Sequence, residues 1–508
     1  MKPAKSGLGI VLALAAVKLV AHLLVASRYG IFRDELYFLA CAEHLDWGYV
    51  DQPPLIAAIA WLVRHVLGES LLGLRLLPAV AGAAKVVLAG LLARALGGGR
   101  YAQGLAALAV LVAPIYLGID HLLTMNAFEP LFWMGAALCV IRWIQTGNDR
   151  LWIGFGALMG LGLLNKQTTL VFGFAVVVGL LLTPARRAFA RPGIWIGGAV
   201  AGLIFLPNFL WMARHGFPMV ELLENIRRNQ RDVVLKPLAL LGQEALAMLP
   251  LTAPIWIAGL AWLFFAREGR AYRCLGWTFV VFQAALILTG GRMYYAAPIF
   301  PLYLAAGGVA LEQWLSGRGR AVEFVKPAYA ALLALGGIAL SPMFLPVLSE
   351  EGYIRYAERI GMQQPRLENH EMGPLPQLYA DMHGWKEMAE EVARIYRALP
   401  PADREKAAVI GNNYGESGAI DFYGPALGLP KSIGVHQNYF YWGPRGATGE
   451  VLIVLGEGER AALEAKCSSV EEAAVLQHPY AMPYENKPIY VCRGIALQSL
   501  WPQLKKWD

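Results

Sequence analysis

Residues 8–26 read L-G-I-V-L-A-L-A-A-V-K-L-V-A-H-L-L-V-A, an almost wholly apolar run that follows two lysines at the start of the chain. A helix of about 20 apolar residues spans the hydrocarbon core of a bilayer, whereas the apolar core of a secretory signal peptide is shorter. No small-x-small cleavage motif is evident before Arg28. We therefore predict that this run is the first transmembrane helix.

Further apolar runs occupy most of the chain. The 508 residues are 57% hydrophobic and 16% charged, whereas roughly a quarter of the residues of a soluble protein are charged. The runs fill residues 1–348, and residues 349–508 have ordinary polarity. We predict a helical membrane domain over 1–348 and an α/β domain over 349–508. The predicted spans are 7–26, 74–96, 101–119, 126–145, 151–164, 168–183, 194–213, 244–266, 272–290, 294–311 and 327–348.

Basic residues cluster in alternate loops and predict the orientation. If Lys2 and Lys5 are cytoplasmic, the basic loops 94–100, 142–150, 186–191, 267–273 and 318–326 are cytoplasmic as well. Eleven spans then place the C-terminal domain outside a plasma (inner) membrane. Much of the net charge of +7 is thereby explained as a topology signal. The soluble part has no basic face, which disfavours nucleic-acid binding.

The five cysteines have no metal-ligand spacing. Cys467 and Cys492 both fall in the C-terminal domain, and their spacing leaves open whether they form a disulfide.

The loop 27–73 is too long for a simple connection. After Asp34-Glu35, apolar residues recur with roughly helical spacing, and Pro53-Pro54 precedes a second helical pattern over 55–67. We predict two amphipathic helices along the membrane surface, at the level where a lipid phosphate lies.

Ionisable residues gather on the predicted outer face. Glycosyl transfer requires a carboxylate that positions or deprotonates the acceptor and cations that face the departing phosphate. Helix capping by Asp34-Glu35 and snorkelling by Lys166 and Arg292 are the structural alternatives. The carboxylates are Asp34, Asp51, Asp120 and Glu129, and the cations are Lys166, Arg228 and Arg292.

Several short motifs in this order resemble the C-type-fold (GT-C) glycosyltransferases, in the branches similar to protein O-mannosyltransferases and lipid A aminoarabinose transferases. R-D-E-L-Y-F-L-A-C-A resembles the segment with the catalytic aspartate, which implies Asp34, with Glu35 in support. Y-V-D-Q-P-P-L retains Asp51 as a substrate contact but has Gln52 where relatives carry a lysine. T-M-N-A-F-E-P-L-F-W places Glu129 at the second carboxylate.

Three more motifs resemble segments of this family, and the resemblance implies which residues contact the donor phosphate. L-N-K-Q-T-T-L implies Lys166, and E-N-I-R-R implies Arg228, with Arg231 as a further cation. G-R-M-Y-Y-A-A-P implies Arg292 and Tyr295.

The resemblance also bears on metal binding. Asn225 stands where metal-binding relatives have a histidine, so the resemblance does not imply the metal of those relatives, and a divalent ion stays an open alternative. Asp120-His121 would be a poor replacement pair because two ligands make an incomplete site. We assign both residues to the substrate-binding set, with a satisfied interfacial histidine as the alternative for His121.

The C-terminal domain adds two candidate segments. The loop G-N-N-Y-G-E at 411–416 follows a predicted strand as a ligand loop would, but it lacks the nucleotide-binding glycine spacing. The aromatic stretch H-Q-N-Y-F-Y-W-G-P at 436–444 is suited to stacking on sugar faces, and core packing is the alternative. The predicted substrate contacts here are Tyr414, Glu416 and Trp442.

The resemblance implies an inverting transferase that moves a monosaccharide from a polyprenyl-phosphate donor to a protein, lipid or glycan acceptor in the cell envelope. Two alternatives stay open. A transporter or flippase of a lipid-linked anion would show charges at the membrane midplane and inverted repeats, and no repeat is evident. A non-catalytic envelope scaffold is the other, since a fold alone does not establish activity.

Overall fold

The computed structural model describes residues 6–316, 318–319, 323–362, 366, 368–456 and 460–508. The predictions for Lys2, Lys5 and residues 320–322 of the basic loop 318–326 lie outside this part of the chain. The chain forms two compact units. Unit 1 comprises Met1–Ser27, Leu72–Trp211 and Val234–Val347, and unit 2 comprises Arg28–Leu71, Met212–Val233 and Leu348–Asp508.

Unit 1 is built from helices. Among the described residues, seven helices are long and apolar enough to cross a membrane, or up to nine if each of two bent pairs counts as one span. The α-helices are Leu8–Val25, Leu71–Ala95, Arg100–Val112, Pro114–Ile119, Met125–Thr146, Leu151–Asn165, Thr168–Leu181, Pro192–Arg214, Pro237–Ala247, Ala253–Phe265, Arg273–Thr289, Phe300–Leu315 and Val325–Leu340, and short 3₁₀ segments are Pro184–Ala190, Pro250–Thr252, Gly269–Tyr272, Met293–Ile299 and Ser341–Met343.

Every one of the eleven predicted spans corresponds to a helix or a bent pair of helices, but two of the helices are short. Arg100–Val112 and Leu151–Asn165 have 13 and 15 residues, fewer than a perpendicular helix needs to cross the bilayer core. The two bent pairs break at Pro184 and Pro250, because proline begins a new helix readily and cannot continue an old one. A polytopic helical protein, as predicted from the sequence, is confirmed.

Small residues allow close helix packing in unit 1. A Cβ at Gly259 would lie 2.3 Å from the Tyr303 carbonyl oxygen, and one at Gly307 would lie 1.8 Å from the Ile255 carbonyl oxygen. The helices Ala253–Phe265 and Phe300–Leu315 therefore pack backbone against backbone, as small residues permit in membrane helices.

Two lysines inside apolar helices share one buried carboxylate. Lys18 Nζ lies 3.1 Å from Asp120 Oδ2, Lys85 Nζ donates to Asp120 Oδ1, and all three side chains are 0% exposed. Lys18 also donates to the Tyr116 carbonyl oxygen at 2.8 Å. This ion triad is a structural link between the first helix and two later segments of unit 1.

Asp120→Asn is expected to destabilise the protein by roughly 3–5 kcal/mol, because it leaves buried cations without their carboxylate. Thermal unfolding in detergent should show a lower midpoint. The triple variant Lys18→Met, Lys85→Met, Asp120→Leu removes all three charges together and should recover most of the loss. An unchanged midpoint in Asp120→Asn would show that the triad does not stabilise the fold.

Unit 2 contains a mixed five-stranded sheet within the described residues. Its strands are β1 (Ala407–Gly411), β2 (Ile433–Gly434), β3 (Val451–Leu455), β4 (Ser469–Val475) and β5 (Pro488–Arg493), in the spatial order β2-β1-β3-β5-β4. β1 pairs in parallel with β2 and β3, whereas β5 pairs antiparallel with β3 and β4. The helices of unit 2 are Arg33–Glu43, Leu55–Val66, Pro218–Arg228, Glu350–Ile360, Gln377–Ala380, Trp385–Ala398, Pro401–Arg404, Tyr414–Leu427, Asn438–Trp442, Arg460–Glu464 and Leu497–Leu500.

Short apolar runs at 407–410, 431–435, 451–455 and 489–491 predict four of these strands, whereas β4 was not predicted. Its sequence S-V-E-E-A-A-V has adjacent glutamates and weak strand propensity, so pairing with β5 at the sheet edge decides its conformation.

Cys467 and Cys492 form a disulfide, which answers the question that their spacing left open.

The first loop belongs to unit 2, so the compact units divide the chain differently from a single boundary at residue 348. The helix Arg33–Glu43 packs on the helix Tyr414–Leu427, where a Cβ at Gly418 would lie 3.0 Å from Leu36. Before this helix, a Cβ at Gly30 would lie 2.0 Å from the Met382 carbonyl oxygen. Glycine at both positions lets the loop approach the C-terminal layer closely. The expected membrane-surface location of the loop helices stays a prediction.

Candidate active site

Asp34 lies in the first turn of the helix Arg33–Glu43 with its side chain 33% exposed. The Tyr414 hydroxyl donates a hydrogen bond of 2.8 Å to Asp34 Oδ1. The Tyr414 ring in turn stacks between the rings of Tyr37 and His436, at centroid distances of 4.8 and 5.0 Å. A residue 380 positions away in sequence therefore orients an accessible carboxylate.

Arg33 connects Asp34 to a second carboxylate. Arg33 Nη1 donates to the Tyr484 hydroxyl at 2.7 Å, and the guanidinium lies 3.7 Å from Asp34 Oδ1 and 3.8 Å from Asp381 Oδ2. Burial raises the pKa of the Asp381 carboxyl to about 7, and the charge of Arg33 opposes that shift. The Arg33 backbone N–H also donates to the Asp381 carbonyl oxygen at 2.9 Å. The start of the helix is thus fixed by both side chain and backbone.

Asp51 lies on the other side of the same aromatic stack. The Tyr37 hydroxyl donates to Asp51 Oδ1 at 3.0 Å and accepts the Asn438 backbone N–H at 3.3 Å. Burial raises the pKa of the Asp51 carboxyl to about 7, and the Tyr37 hydrogen bond opposes that shift. Two carboxylates in different environments, Asp34 and Asp51, are therefore linked through Tyr37 and Tyr414.

The raised pKa of Asp51 predicts a pH dependence of stability. The folded state keeps the Asp51 proton between about pH 4 and pH 7, where the unfolded state has lost it, so this group makes folding less favourable as the pH rises through that window. The wild-type thermal midpoint should therefore fall relative to that of Asp51→Asn between pH 4 and pH 7. The histidines of unit 2 are common to both proteins, so the difference isolates Asp51. Parallel midpoint curves would contradict this prediction.

Two of the predicted site carboxylates are engaged in local structure. Glu35 is fully buried, and its Oε2 accepts the Phe32 backbone N–H at 2.9 Å, which caps its own helix. Glu416 is fully buried and accepts hydrogen bonds from the Asn412 backbone N–H at 2.7 Å and from Lys487 Nζ at 2.5 Å. These contacts hold the helix starts beside Asp34 and Tyr414.

Trp442 stacks on the His44 ring at 4.4 Å and meets the Tyr439 ring edge-on at 4.6 Å. Its neighbour Tyr439 is buried and donates to Asp421 Oδ2 at 3.0 Å. Packing therefore accounts for much of the aromatic segment, and a substrate contact by Trp442 stays a prediction.

In unit 1, Lys166 and Glu129 form a pair at helix ends. Lys166 Nζ lies 3.5 Å from Glu129 Oε2 and donates to Asn126 Oδ1 at 2.7 Å, with its side chain 11% exposed. Thr168 donates to Glu129 Oε1. Lys166 follows the helix Leu151–Asn165 with extended backbone, which turns its side chain out of the helical register.

Tyr295 belongs to this cluster as well. Lys166 Nζ lies 4.5 Å from the centre of the Tyr295 ring and 5.1 Å from that of Tyr294. Arg292 is partly exposed and immediately precedes the segment Met293–Ile299 that carries both tyrosines. Unit 1 therefore brings together the predicted Glu129, Lys166 and Tyr295.

Asp120 and His121 are fully enclosed in unit 1. Asp120 is held by the ion triad, and His121 is 2% exposed with its ring 6.3 Å from that of His22. Neither ring nitrogen of His121 has a hydrogen-bond partner among the described residues. A substrate contact by either residue would require that unit 1 open.

The remaining cations lie in unit 2. Arg228 is exposed at the end of the helix Pro218–Arg228, and Arg231 lies 3.8 Å from Glu368 and 3.5 Å from Asp232.

Asn225 donates to the Trp507 carbonyl oxygen at 2.8 Å. Gln52 is 1% exposed and donates to the Cys41 sulfur, so it does not occupy an open position of the kind a phosphate-binding lysine would need.

No group of three or more His, Cys, Asp or Glu side chains in the described part of the chain could hold a metal ion.

Sequence reasoning missed Asp381 and Tyr484, the residues that Arg33 connects to Asp34, because no local pattern indicates contacts between residues hundreds of positions apart. It also missed Lys18 and Lys85. These two were detectable, since a charged residue inside an apolar span indicates a buried partner.

The helices of unit 1, seven to nine of them long and apolar enough to cross a membrane among the described residues, define a multi-pass membrane protein, and its fold is the GT-C fold of the solved structures compared below. A model of the dolichyl-phosphate-mannose-protein mannosyltransferase family matches residues 51–211, which include Asp51, Glu129 and Lys166. The predicted resemblance to this superfamily is confirmed over these residues, which make up about a third of the chain.

Among relatives, the lipid A galacturonosyltransferase RgtD of Rhizobium johnstonii is 29% identical over 224 residues, or 42% of this chain. The chain spans 44% of the length of RgtD in that match. ArnT from Cupriavidus metallidurans bound to undecaprenyl phosphate superposes with a TM-score of 0.61 at 15% identity, covering 96% of this chain and 98% of ArnT. The apo state of ArnT gives 0.60 at 16% identity, covering 98% and 99%. These superpositions establish a shared fold.

Proposed function

We propose that this protein is a membrane glycosyltransferase that moves a monosaccharide from a polyprenyl-phosphate donor to a hydroxyl or amine of a protein, lipid or glycan acceptor. The observation that carries the proposal is the accessible Asp34 carboxylate, oriented by Tyr414 in a chain with the GT-C fold. The binding of undecaprenyl phosphate by ArnT and the sugar transfer in the name of RgtD support the donor and reaction classes.

The reaction proposed is a single inverting displacement. The acceptor oxygen or nitrogen attacks the anomeric carbon, the bond from that carbon to the phosphate oxygen breaks, and polyprenyl phosphate departs with the bonding electrons. Asp34 takes the proton of the acceptor as the new bond forms. The hydrogen bond from Tyr414 and the nearby Arg33 guanidinium hold the carboxylate in one orientation, which reduces the cost of positioning during reaction.

The phosphate requires cations as its charge develops. In unit 1, Lys166 and Arg292 are proposed to bind the donor phosphate, with Tyr295 packed against Lys166 and Glu129 holding the lysine in place. Arg228 is exposed in unit 2, and its phosphate contact stays a prediction of the sequence resemblance. Arg231 is already near two carboxylates, so we assign it a supporting role.

Transfer from radiolabelled polyprenyl-phosphate sugars by the purified full chain in nanodiscs tests the proposal. Formation of a labelled acceptor product, tested over protein, lipid A and glycan acceptors, supports a transferase. Movement of the intact lipid between leaflets of proteoliposomes without product would instead establish a flippase. If neither product nor lipid movement is observed, the scaffold is the remaining alternative.

Tyr414→Phe tests the orientation of Asp34. The variant keeps the aromatic stack but removes the hydrogen bond, so kcat should fall by about tenfold to a hundredfold with little change in the acceptor KM. Tyr439→Phe is the matched control, because it removes a buried hydroxyl that bonds to Asp421 instead. Equal activities of the two variants would show that the bond to Asp34 is not used.

We infer that the C-terminal segment lies outside the plasma (inner) membrane. Disulfides persist in oxidising compartments, and Cys467–Cys492 is one. Alkaline phosphatase fused after Asp508 should then be active. Activity of a reporter that works only in the cytoplasm, fused at the same position, would show the opposite orientation.

A further inference from the structure

Residues 505–508 pack against parts of unit 2 that carry the candidate site, and none of the roles above uses them. Trp507 is buried in an apolar cluster with Val50 of the first loop and Ile226 of the helix Pro218–Arg228. Burial of a large aromatic side chain contributes strongly to packing. Trp507 therefore holds this segment in place beside the first loop.

The same segment holds a turn at 436–438. Gln437 has a φ of 50° and a ψ of −132°, a backbone conformation that residues other than glycine rarely adopt. Its N–H donates to the Lys506 carbonyl oxygen at 3.1 Å, and its Nε2 donates to the main-chain oxygen of Asp508 at 3.1 Å. A strained turn persists only where its surroundings fix it, and these two bonds do so.

His436 in this turn connects Asp508 to Tyr414. The Tyr414 N–H donates to His436 Nδ1 at 3.2 Å, so the proton of the neutral ring is on Nε2. His436 Nε2 lies 3.1 Å from Asp508 Oδ1 and 3.3 Å from its main-chain oxygen. Burial lowers the pKa of His436, and Asp508 opposes that shift. The ring is therefore neutral near pH 7, with its acceptor toward Tyr414 and its donor toward Asp508.

Tyr414 is held by His436 at two points. Tyr414 is the first residue of the helix Tyr414–Leu427, so its N–H has no acceptor within the helix and needs one outside it. His436 Nδ1 is that acceptor, and the two rings stack at 5.0 Å with an interplanar angle of 16°. With its backbone and ring both held, Tyr414 keeps the position from which its hydroxyl donates to Asp34 Oδ1 at 2.8 Å.

The turn also contacts the tyrosine that bonds to the second carboxylate. Asn438 Oδ1 accepts the Val50 N–H at 2.6 Å, and the Asn438 N–H donates to the Tyr37 hydroxyl at 3.3 Å. The Tyr37 hydroxyl donates to Asp51 at 3.0 Å. The turn at 436–438 therefore contacts both of the tyrosines whose hydroxyls bond to the candidate carboxylates.

We propose that His436 is a positioning residue of the transferase: held by Asp508, it accepts the Tyr414 N–H and thereby fixes the hydroxyl that orients Asp34. The inference rests on the proposed function and adds a residue that acts on the base through Tyr414. The first residue of the aromatic stretch at 436–444 thus has a role other than stacking on a sugar.

Two variants of the full chain separate the contacts of His436. His436→Phe keeps a ring for the stack on Tyr414 but has no acceptor for its N–H. His436→Asn loses the ring but keeps an acceptor, because asparagine Oδ1 is as far from Cβ as histidine Nδ1 is. His65→Phe is the matched control, because His65 is an exposed histidine on the helix Leu55–Val66 of the same unit.

In the transfer assay, kcat of His436→Phe should fall about fivefold to twentyfold, with the acceptor KM within about twofold of the wild type. The base is then less often in its reactive orientation, whereas acceptor binding is unchanged. We expect kcat within about threefold of the wild type for His436→Asn, which keeps the hydrogen bond, and no change for His65→Phe. An unchanged kcat in His436→Phe, or an equal loss in both His436 variants, would overturn the proposal.

A double-mutant cycle distinguishes positioning from a general structural effect. In the Tyr414→Phe background the hydroxyl that bonds to Asp34 is absent, so adding His436→Phe should change kcat by less than about twofold. If the two single effects multiply instead, His436 acts elsewhere and the proposal is overturned. Should His436→Phe not fold, Asp508→Ala takes its place in the cycle, because the Asp508 side chain is 36% exposed and its truncation leaves no buried void.

NMR of the full chain with ¹⁵N-labelled histidine tests the contacts without turnover. The His436 signals are assigned by their loss in His436→Phe. At pH 7 the wild-type ring should carry its proton on Nε2, and its pKa should fall further in Asp508→Ala, because the carboxylate favours the charged ring. A proton on Nδ1, or the same pKa in both proteins, would overturn the proposal.

These measurements also separate the inference from the function on which it rests. Transfer by the wild type with an unchanged kcat in His436→Phe overturns the positioning role and leaves the transferase. Absence of transfer by the wild type overturns the transferase, and with it the positioning role, even where NMR shows the hydrogen bonds of His436.

Discussion

Asp34→Asn is expected to lower the transfer rate by about 10²–10⁴-fold, the range typical for loss of a general base. Asparagine has nearly the same shape as aspartate, and its Oδ1 can still accept the Tyr414 hydroxyl. The variant therefore removes the ability to take the acceptor proton and changes little else. The effect should appear in kcat, measured with saturating donor and acceptor in nanodiscs.

Asp46→Asn is the matched control for Asp34→Asn. Asp46 is an exposed carboxylate in the same loop, and its Oδ1 accepts the neighbouring Trp47 N–H. It should retain wild-type turnover. Both variants should show wild-type thermal midpoints and bind undecaprenyl phosphate equally. Normal turnover by a folded Asp34→Asn protein would exclude Asp34 as the base.

Lys166→Met is expected to weaken binding of the donor phosphate by about tenfold to a hundredfold, because a charge-assisted hydrogen bond contributes roughly 1.5–3 kcal/mol. Methionine keeps the length of the apolar stem and its packing on Tyr295. The dissociation constant for undecaprenyl phosphate and the donor KM should both rise.

Lys166→Met also leaves Glu129 buried without its cation, which is costly in itself. The double variant Lys166→Met, Glu129→Gln removes that cost, so it should recover thermal stability without recovering phosphate binding. Lys326→Met is a control in the same unit, at the start of the helix Val325–Leu340 and on the predicted cytoplasmic side. If the double variant binds undecaprenyl phosphate as the wild type does, Lys166 has only a structural role.

Asp34 and Lys166 were predicted from the sequence, whereas their hydrogen-bond partners were not. The D-E and N-K motifs singled out Asp34 and Lys166 through resemblance, without any knowledge of their neighbours. The bonds of Tyr414 to Asp34 and of Asn126 to Lys166 join residues 380 and 40 positions apart. Such contacts are set by packing, so no periodicity in the sequence predicts them.

Tyr414 and Glu416 illustrate the same limit within one short loop. The sequence placed both among the substrate contacts because they follow a strand. The structure directs Tyr414 to Asp34, whereas Glu416 is buried against Lys487. Since the sequence does not show which side of a turn faces a neighbouring element, it cannot separate a site residue from a structural one.

The sequence by itself determined that residues 1–348 are dominated by apolar helices, because a chain in lipid must satisfy its backbone hydrogen bonds within each helix and needs long apolar runs to do so. It also determined most strands of the C-terminal sheet, whose apolar runs are short and local. Only the tertiary structure decided that the loop carrying Asp34 joins the C-terminal unit and that Lys18 and Lys85 share Asp120. Each of these depends on contacts between distant segments, whose energies come from burial and pairing that no single stretch of sequence contains.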